Sequence, residues 1–310
     1  MTPAEPPRIA QQERVALALG AGGARGLAQI GVLEALDARG FRIVSIAGSS
    51  SGALVGGLFA AGKLGAYRDW LFGMSRSDML RLLDPGLGRP SLFHGTRLMQ
   101  ALRELAGTPR IEELPIDFTA VAVDVMRQRE VWLREGDLWD AVRASFAIPG
   151  LFTPWVVHGR ELVDGGLLAP LPIAATRLSD AHRLIAVDMH GWPQRPPGTP
   201  AQHEDDAEAA HHSLATRAAA WLEHRFGTDG DDDAHAEAEH RNRIGFTELL
   251  ARSLDTMQAQ IARVQLALDP PELVIRIPRD ACQFYEFWRA KELIEVGRVE
   301  AEKALDAAGY

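Results

Sequence analysis

The run Gly48-Ser49-Ser50-Ser51-Gly52 sets a serine between two glycines, each two positions away. It follows the short apolar stretch Ile43 to Ala47 and leads into a second apolar stretch that begins near Ala53. Strand, G-x-S-x-G, helix is the layout of a nucleophile elbow, a sharp turn that lifts a serine hydroxyl clear of the backbone. The flanking glycines let the chain bend there and let neighbours come close. Ser50 is therefore the candidate nucleophile; Ser49 and Ser51 share its type but not its central place. A serine hydroxyl is inert at neutral pH until a base accepts its proton, so the chemistry to look for is acyl transfer, and a base is required elsewhere in the chain.

Two other clusters could serve that chemistry. Gly20-Ala21-Gly22-Gly23-Ala24-Arg25-Gly26 stands between an apolar strand, Arg14 to Leu19, and a helix whose apolar face is Leu27, Ile30, Leu33 and Leu36. Backbone N–H groups in such a loop converge on one spot, helped by the helix dipole, and suit either a phosphate or the oxyanion of acyl transfer. The dinucleotide pattern counted from Gly20 requires a glycine where Arg25 stands, and no G-K-[ST] loop occurs. With an elbow on the next strand, the oxyanion reading outweighs a phosphate site and a turn that uses glycine only for packing. The second cluster, Asp164-Gly165-Gly166, follows Leu162-Val163 and so places a carboxylate at a strand end with no side chains beside it. Taken alone, Asp-Gly is equally a hairpin turn signal.

These three clusters in this order, together with Ala144-Ser145-Phe146-Ala147-Ile148-Pro149-Gly150, resemble the patatin-like phospholipase family, and within it the small bacterial branch. The resemblance runs from about Arg14 to Pro172 and more loosely to the C-terminus. It implies a serine acyl-ester hydrolase of the lipase or phospholipase A type, working with a Ser–Asp dyad in place of a triad. Ser50 then attacks the ester carbonyl, Asp164 takes its proton, and N–H groups near Gly22 and Gly23 hold the oxyanion. Arg25 would steady the loop or face an anionic head group; both roles are open. The implied fold is α/β, a mostly parallel β-sheet sandwiched between α-helices in three layers. The implied substrate is a lipid or another acyl ester, with no cofactor and no metal. Two positions depart from the family pattern: Ala21, where the loop usually has glycine and where a methyl group restricts positive φ, and Ser49, where threonine is common.

The elements that must position these residues can be read from periodicity. Arg14 to Leu19, a helix capped near Gly40, and Ile43 to Ala47 form a βαβ unit, so their strands should run parallel. Irregular helical pieces follow from Tyr67 to Leu105. Phe118 to Val123 reads as a central strand with Glu130 to Leu133 as its antiparallel neighbour. Asp137 to Phe146 reads as a helix with Asp137 as its cap. Trp155 to Val157 and Glu161 to Val163 read as a hairpin around His158-Gly159-Arg160. Leu184 to Asp188 and Leu273 to Ile277 are further strands, and Phe246 to Leu268 and Phe284 to Ala308 are long amphipathic helices.

The organisation expected is a tail over residues 1–13 and one domain over 14–310. The motifs occupy about 15–178, and an acidic, His-rich insertion occupies about 191–242. The chain has 310 residues and a net charge of −9. Between Ala201 and His240 eleven acidic residues face only Arg217 and Arg225, so that segment carries the whole imbalance. No Lys/Arg cluster suggests a nucleic-acid partner; a transient contact with a membrane surface fits a lipid substrate. One cysteine, Cys282, and an N-terminus without an apolar leader suggest the cytoplasm. Seven of the ten histidines fall between His190 and His240, but none shows a recognised metal-ligand spacing. His190, just past a strand end, is the one histidine placed to complete a triad of the α/β-hydrolase order. A catalytically weak regulatory protein that keeps the fold is the alternative reading, and the intact Ser50, Asp164 and glycine loop count against it.

Overall fold

The computed structural model describes residues 13–82, 84, 93–194 and 246–310. Residues 1–12 of the expected tail and almost all of the acidic insertion, including its helix-like stretch His212 to Phe226, lie outside the described residues. The chain divides into two compact units, Met1–Pro193 with Ala251–Tyr310, and Gln194–Leu250. Every residue singled out for chemistry belongs to the first.

Eight strands form one sheet: β1 (Arg14–Leu19), β2 (Arg42–Ser49), β3 (Asp117–Asp124), β4 (Arg129–Leu133), β5 (Trp155–Val157), β6 (Arg160–Asp164), β7 (Arg183–Gly191) and β8 (Leu273–Pro278). Their order is β5-β6-β3-β2-β1-β7-β8, with β4 paired to β3. The five strands β3, β2, β1, β7 and β8 run parallel. β4, β5 and β6 are antiparallel additions around β3. The expected βαβ unit, central strand and hairpin are all present.

The helices are α1 (Ala28–Ala38), α2 (Ser51–Ala60), α3 (Leu64–Gly73), α4 (Arg76–Leu82), α5 (Thr96–Ala106), α6 (Leu138–Ser145), α7 (Ile173–Thr176), α8 (Phe246–Leu268) and α9 (Ala290–Ala307). Strand alternation sorts them into two layers. Val15, Leu17 and Leu19 of β1 point into the larger core with α1, α2, α6 and α9. Ala16 and Ala18 point the other way, against Ile173 of α7 and Ala262 of α8. From α8, Ala262 and the half-buried Leu266 reach this second cluster. The result is the three-layer arrangement, with a period of two along the strands deciding which helix covers which face. Among the described residues no helix is long and apolar enough to cross a membrane.

One expected helix starts late. The segment from Phe284 does not coil at once; a 3-10 turn, Phe287–Arg289, precedes α9. The reason is tertiary. The Phe284 carbonyl accepts the Ala24 N–H at 2.9 Å, and the Arg279 carbonyl accepts from Arg25 at 3.1 Å. Backbone groups used by the glycine loop are not free to start a helix.

The α1–α9 crossing is the tightest in the molecule's main core. A Cβ on Gly31 would stand 1.9 Å from the Ile294 carbonyl oxygen, and one on Gly297 would stand 1.8 Å from that of Ala28. Glu34 of α1 clamps the same crossing through Arg298 of α9 at 2.7 Å. In an isolated helix Gly→Ala is worth about 1 kcal/mol of added stability. Here the overlap wins, because both clashing atoms are backbone. Gly297→Ala is expected to destabilise the fold by about 1–3 kcal/mol, read as a lower urea midpoint with an unchanged slope.

Candidate functional site

Ser50 sits between the end of β2 and the start of α2, with φ +55° and ψ −121°. A non-glycine residue in that region costs on the order of 1–3 kcal/mol and persists only when its surroundings hold it. They do. A Cβ on Gly48 would lie 2.4 Å from the Gly52 carbonyl oxygen, and one on Gly52 would lie 2.2 Å from that of Leu19, so only glycine lets the turn close. The Ser50 N–H donates to Ser145 Oγ at 3.0 Å, and Ser145 Oγ donates on to the Val121 carbonyl at 2.6 Å. The Ser50 carbonyl accepts from Ala53 and Leu54 of α2. The hydroxyls of the other two serines of the motif are buried, and only that of Ser49 is hydrogen-bonded among the described residues. Ser49 Oγ is buried and donates to the Ala169 carbonyl at 2.6 Å, while Ser51 Oγ is buried against Gly26.

Strand β3 brings the carboxylate to the elbow. Its Val121 pairs with Ser49 of β2, and its next residue, Ala122, pairs with Asp164 of β6. Residues far apart in sequence thus end one strand apart. Asp164 is 1 % exposed. Its N–H donates to the Ala147 carbonyl at 3.0 Å, and Oδ1 accepts the Gly166 N–H at 2.7 Å. Oδ2 is buried and has no hydrogen-bond partner among the described residues. Burial pushes the carboxyl up to about 7; the Ser50 hydroxyl, which faces it, and the Gly166 N–H pull the other way. The two side chains face each other with no hydrogen bond joining them.

The glycine loop completes the site. Gly20 N–H donates to Val187, Ala21 N–H to Pro170 and Ala24 N–H to Phe284. The Gly20 carbonyl accepts from buried Gln29 Nε2 at 2.9 Å. Between these tethers no described carbonyl takes the amides of Gly22 and Gly23. They are the two that the sequence marks for an oxyanion. Gly52 of the elbow lies against Leu19 and Gly20, so loop and elbow share one wall. The departure at Ala21 has no backbone consequence, because Ala21 is not among the residues with positive φ.

Arg25 faces inward. It is 4 % exposed, with Nε donating to the Gly22 carbonyl at 3.4 Å, Nη1 to Arg279 and Nη2 to Asp255 of α8. Of the two roles left open by the sequence, the geometry matches steadying the loop. His190 has its ring nitrogens 3.5 Å from Asp188 and 3.5 Å from Asp255. Burial lowers its affinity for a proton, but the two carboxylates outweigh this and the pKa is raised. Its neighbours are thus carboxylates and Arg25, not the Ser50–Asp164 pair. Among the described residues no group of His, Cys, Asp and Glu is arranged to hold a metal ion.

Comparison with known proteins settles the family. The sequence model described as Patatin-like phospholipase matches residues 17–177, a span that holds the glycine loop, the elbow and Asp164. The chain belongs to the patatin-like phospholipase family. Uncharacterized NTE family proteins of Mycobacterium bovis and Mycobacterium tuberculosis are 38% identical over 97% of this chain and 93% of their own. The mouse patatin-like phospholipase domain-containing protein 7 is 33% identical over 59% of this chain and 14% of its own length. The crystal structure of VipD from Legionella pneumophila aligns over 96% of this chain and 67% of its own, at 15% identity and a TM-score of 0.42.

Sequence reasoning left Ser145 and Asp255 without roles. Ser145 stood in a quoted family segment, and the one available signal was a hydroxyl at the end of a helix capped by Asp137. Asp255 is a single acid on an amphipathic helix and carries no local signal. Ser145→Ala strands the buried Ser50 N–H and removes a donor from Val121. It is expected to cost about 1–3 kcal/mol, measured as a lower denaturation midpoint, and to slow covalent labelling of Ser50.

Proposed function

We propose that this protein is a serine acyl-ester hydrolase acting on lipids or similar acyl esters, with Ser50 as nucleophile and Asp164 as its base. The observation that carries this reading is a dry carboxylate with one unpaired oxygen beside a strained, elbow-held serine. A base poised near neutral pH is what proton transfer from a hydroxyl requires. The two untethered amides at Gly22 and Gly23 support an oxyanion hole at the same wall.

In this mechanism Ser50 Oγ bonds to the ester carbonyl carbon while its proton passes to Asp164 Oδ2. The carbonyl oxygen becomes an anion held by the two amides, each worth about 2.7–4 kcal/mol of barrier by analogy with other oxyanion donors. Collapse breaks the bond to the alcohol, which leaves with the proton from Asp164. Water then attacks the acyl-serine, Asp164 again taking and returning one proton, and the free acid departs. Only two side chains exchange protons, so no histidine is needed.

The test is labelling and turnover. A fluorophosphonate should label the wild type, lose all labelling in Ser50→Ala and lose most of it in Asp164→Asn. Labelling that survives in Ser50→Ala refutes the assignment. Hydrolysis of p-nitrophenyl esters should fall about tenfold per pH unit below a midpoint near 7, where Asp164 gains its proton. A flat profile from pH 5 to 8 excludes this base.

Stability should move in the opposite sense. The folded pKa of Asp164 is raised above the unfolded value, so the proton favours the fold. That contribution is complete below the unfolded pKa, near 3.9, and is lost as pH rises through about 7. Asp164→Asn, which cannot ionise, should match the wild type near pH 4. At pH 8 it should exceed it by an amount on the order of a few kcal/mol, measured by urea unfolding at both pH values.

A further inference from the structure

The Arg25 guanidinium does more than fill space. Its Nε donates to the carbonyl of Gly22, the far end of the peptide group whose N–H belongs to Gly23. A trans peptide is planar, so fixing the carbonyl fixes the direction of that N–H. Arg25 is in turn held on two other sides, by the Arg279 carbonyl and by Asp255. Of these three partners only Asp255 carries a charge. Asp255 projects from α8, on the opposite side of the sheet from α1, into which the glycine loop runs.

The chain of contacts continues to the sheet. His190 lies within 3.5 Å of Asp255 on one side and of Asp188, in β7, on the other. Asp188 is register partner to Arg276 of β8, and the His190 N–H donates to Asp188 at 2.9 Å. The charged groups acting on Asp255 are Arg25 and His190; Asp188 lies on the far side of His190, with Arg276 beside Asp188, and Cys282 is close to Arg25. Burial works against ionisation of Asp255, but His190 and Arg25 overcome it and hold the carboxyl down at about 2. It therefore keeps its charge throughout the range in which an esterase works.

We propose that Asp255 is a positioning residue for the oxyanion cradle: by clamping Arg25 it fixes the plane of the Gly22–Gly23 peptide, and so the aim of the Gly23 amide. The proposal rests on the acyl-hydrolase reading given above. It makes α8 a structural arm of the site although Asp255 touches neither the substrate nor Ser50. Such a residue acts on the transition state, where the oxyanion exists, and much less on ground-state binding.

The experiment uses the full chain with Asp255→Asn, Asp255→Glu, Arg25→Gln and the double variant Arg25→Gln with Asp255→Asn. With p-nitrophenyl butyrate, Asp255→Asn is expected to lower kcat at least about tenfold while KM moves less than about threefold. Asp255→Glu, which keeps the charge, should recover part of that loss. The double variant should be no slower than Arg25→Gln, because both act through one peptide group. A kcat within about twofold of wild type, a change confined to KM, or losses that multiply in the double variant would each overturn the proposal. A second arm needs no turnover. The Ala24 amide, tethered to Phe284, should exchange with solvent at least about tenfold faster in Asp255→Asn, while amides of β1 keep wild-type rates. Unchanged Ala24 exchange, or faster exchange across β1 as well, overturns the clamp. If the wild type hydrolyses no ester, the acyl-hydrolase reading fails by itself and the exchange arm alone decides the clamp.

Discussion

One carboxylate kept dry beside one strained hydroxyl is the constraint that the surrounding structure serves. A buried, half-unpaired aspartate and a serine at φ +55° are both unfavourable in isolation. They coexist because each is fixed by backbone contacts that cannot move independently. Val121 shows how. It pairs with Ser49, its carbonyl takes the Ser145 hydroxyl that holds the Ser50 N–H, and its neighbour Ala122 pairs with Asp164. Strand β3 is therefore the ruler that sets the distance between hydroxyl and carboxylate.

The same economy governs the glycine loop. Three of its amides are tied to Val187, Pro170 and Phe284, and two of its carbonyls, those of Gly20 and Gly22, are held by Gln29 and Arg25. Among the described residues no carbonyl takes the adjacent amides of Gly22 and Gly23. Donors held this firmly need little reorganisation to meet a negative charge, which is the property the proposed oxyanion role requires. The cost appears elsewhere: α9 starts later than expected, at Ala290, and the Phe284 carbonyl serves the loop. The carboxyl ends of the parallel strands are thus flanked by a large core on one face and by a smaller cluster, which Ala262 of α8 joins, on the other.

Much of this was legible in the chain. Ser50, Gly22, Gly23 and Asp164 are marked by local rules, because elbows, glycine loops and strand-end aspartates are short-range features. The strands and most helices follow from apolar periodicity, and the cap at Asp137 makes the bonds expected of it, to Trp139 and Asp140. What was not legible was long-range. The inward turn of Arg25 depends on Asp255, which lies beyond the insertion. The engagement of His190 depends on two acids from different elements. The role of Ser145 depends on a strand that it does not follow.

By itself the sequence determined which residue types could do chemistry, which turns could hold them and which faces of each strand must be buried, since all of these depend on neighbours a few positions away. The tertiary structure alone decided that the Arg25 guanidinium is buried against Gly22, Arg279 and Asp255, that the His190 ring lies between Asp188 and Asp255, and that one oxygen of Asp164 is buried with no hydrogen-bond partner among the described residues. Those outcomes turn on burial and on contacts between distant segments. A side chain's identity does not reveal how much water reaches it or which carbonyl will be opposite it.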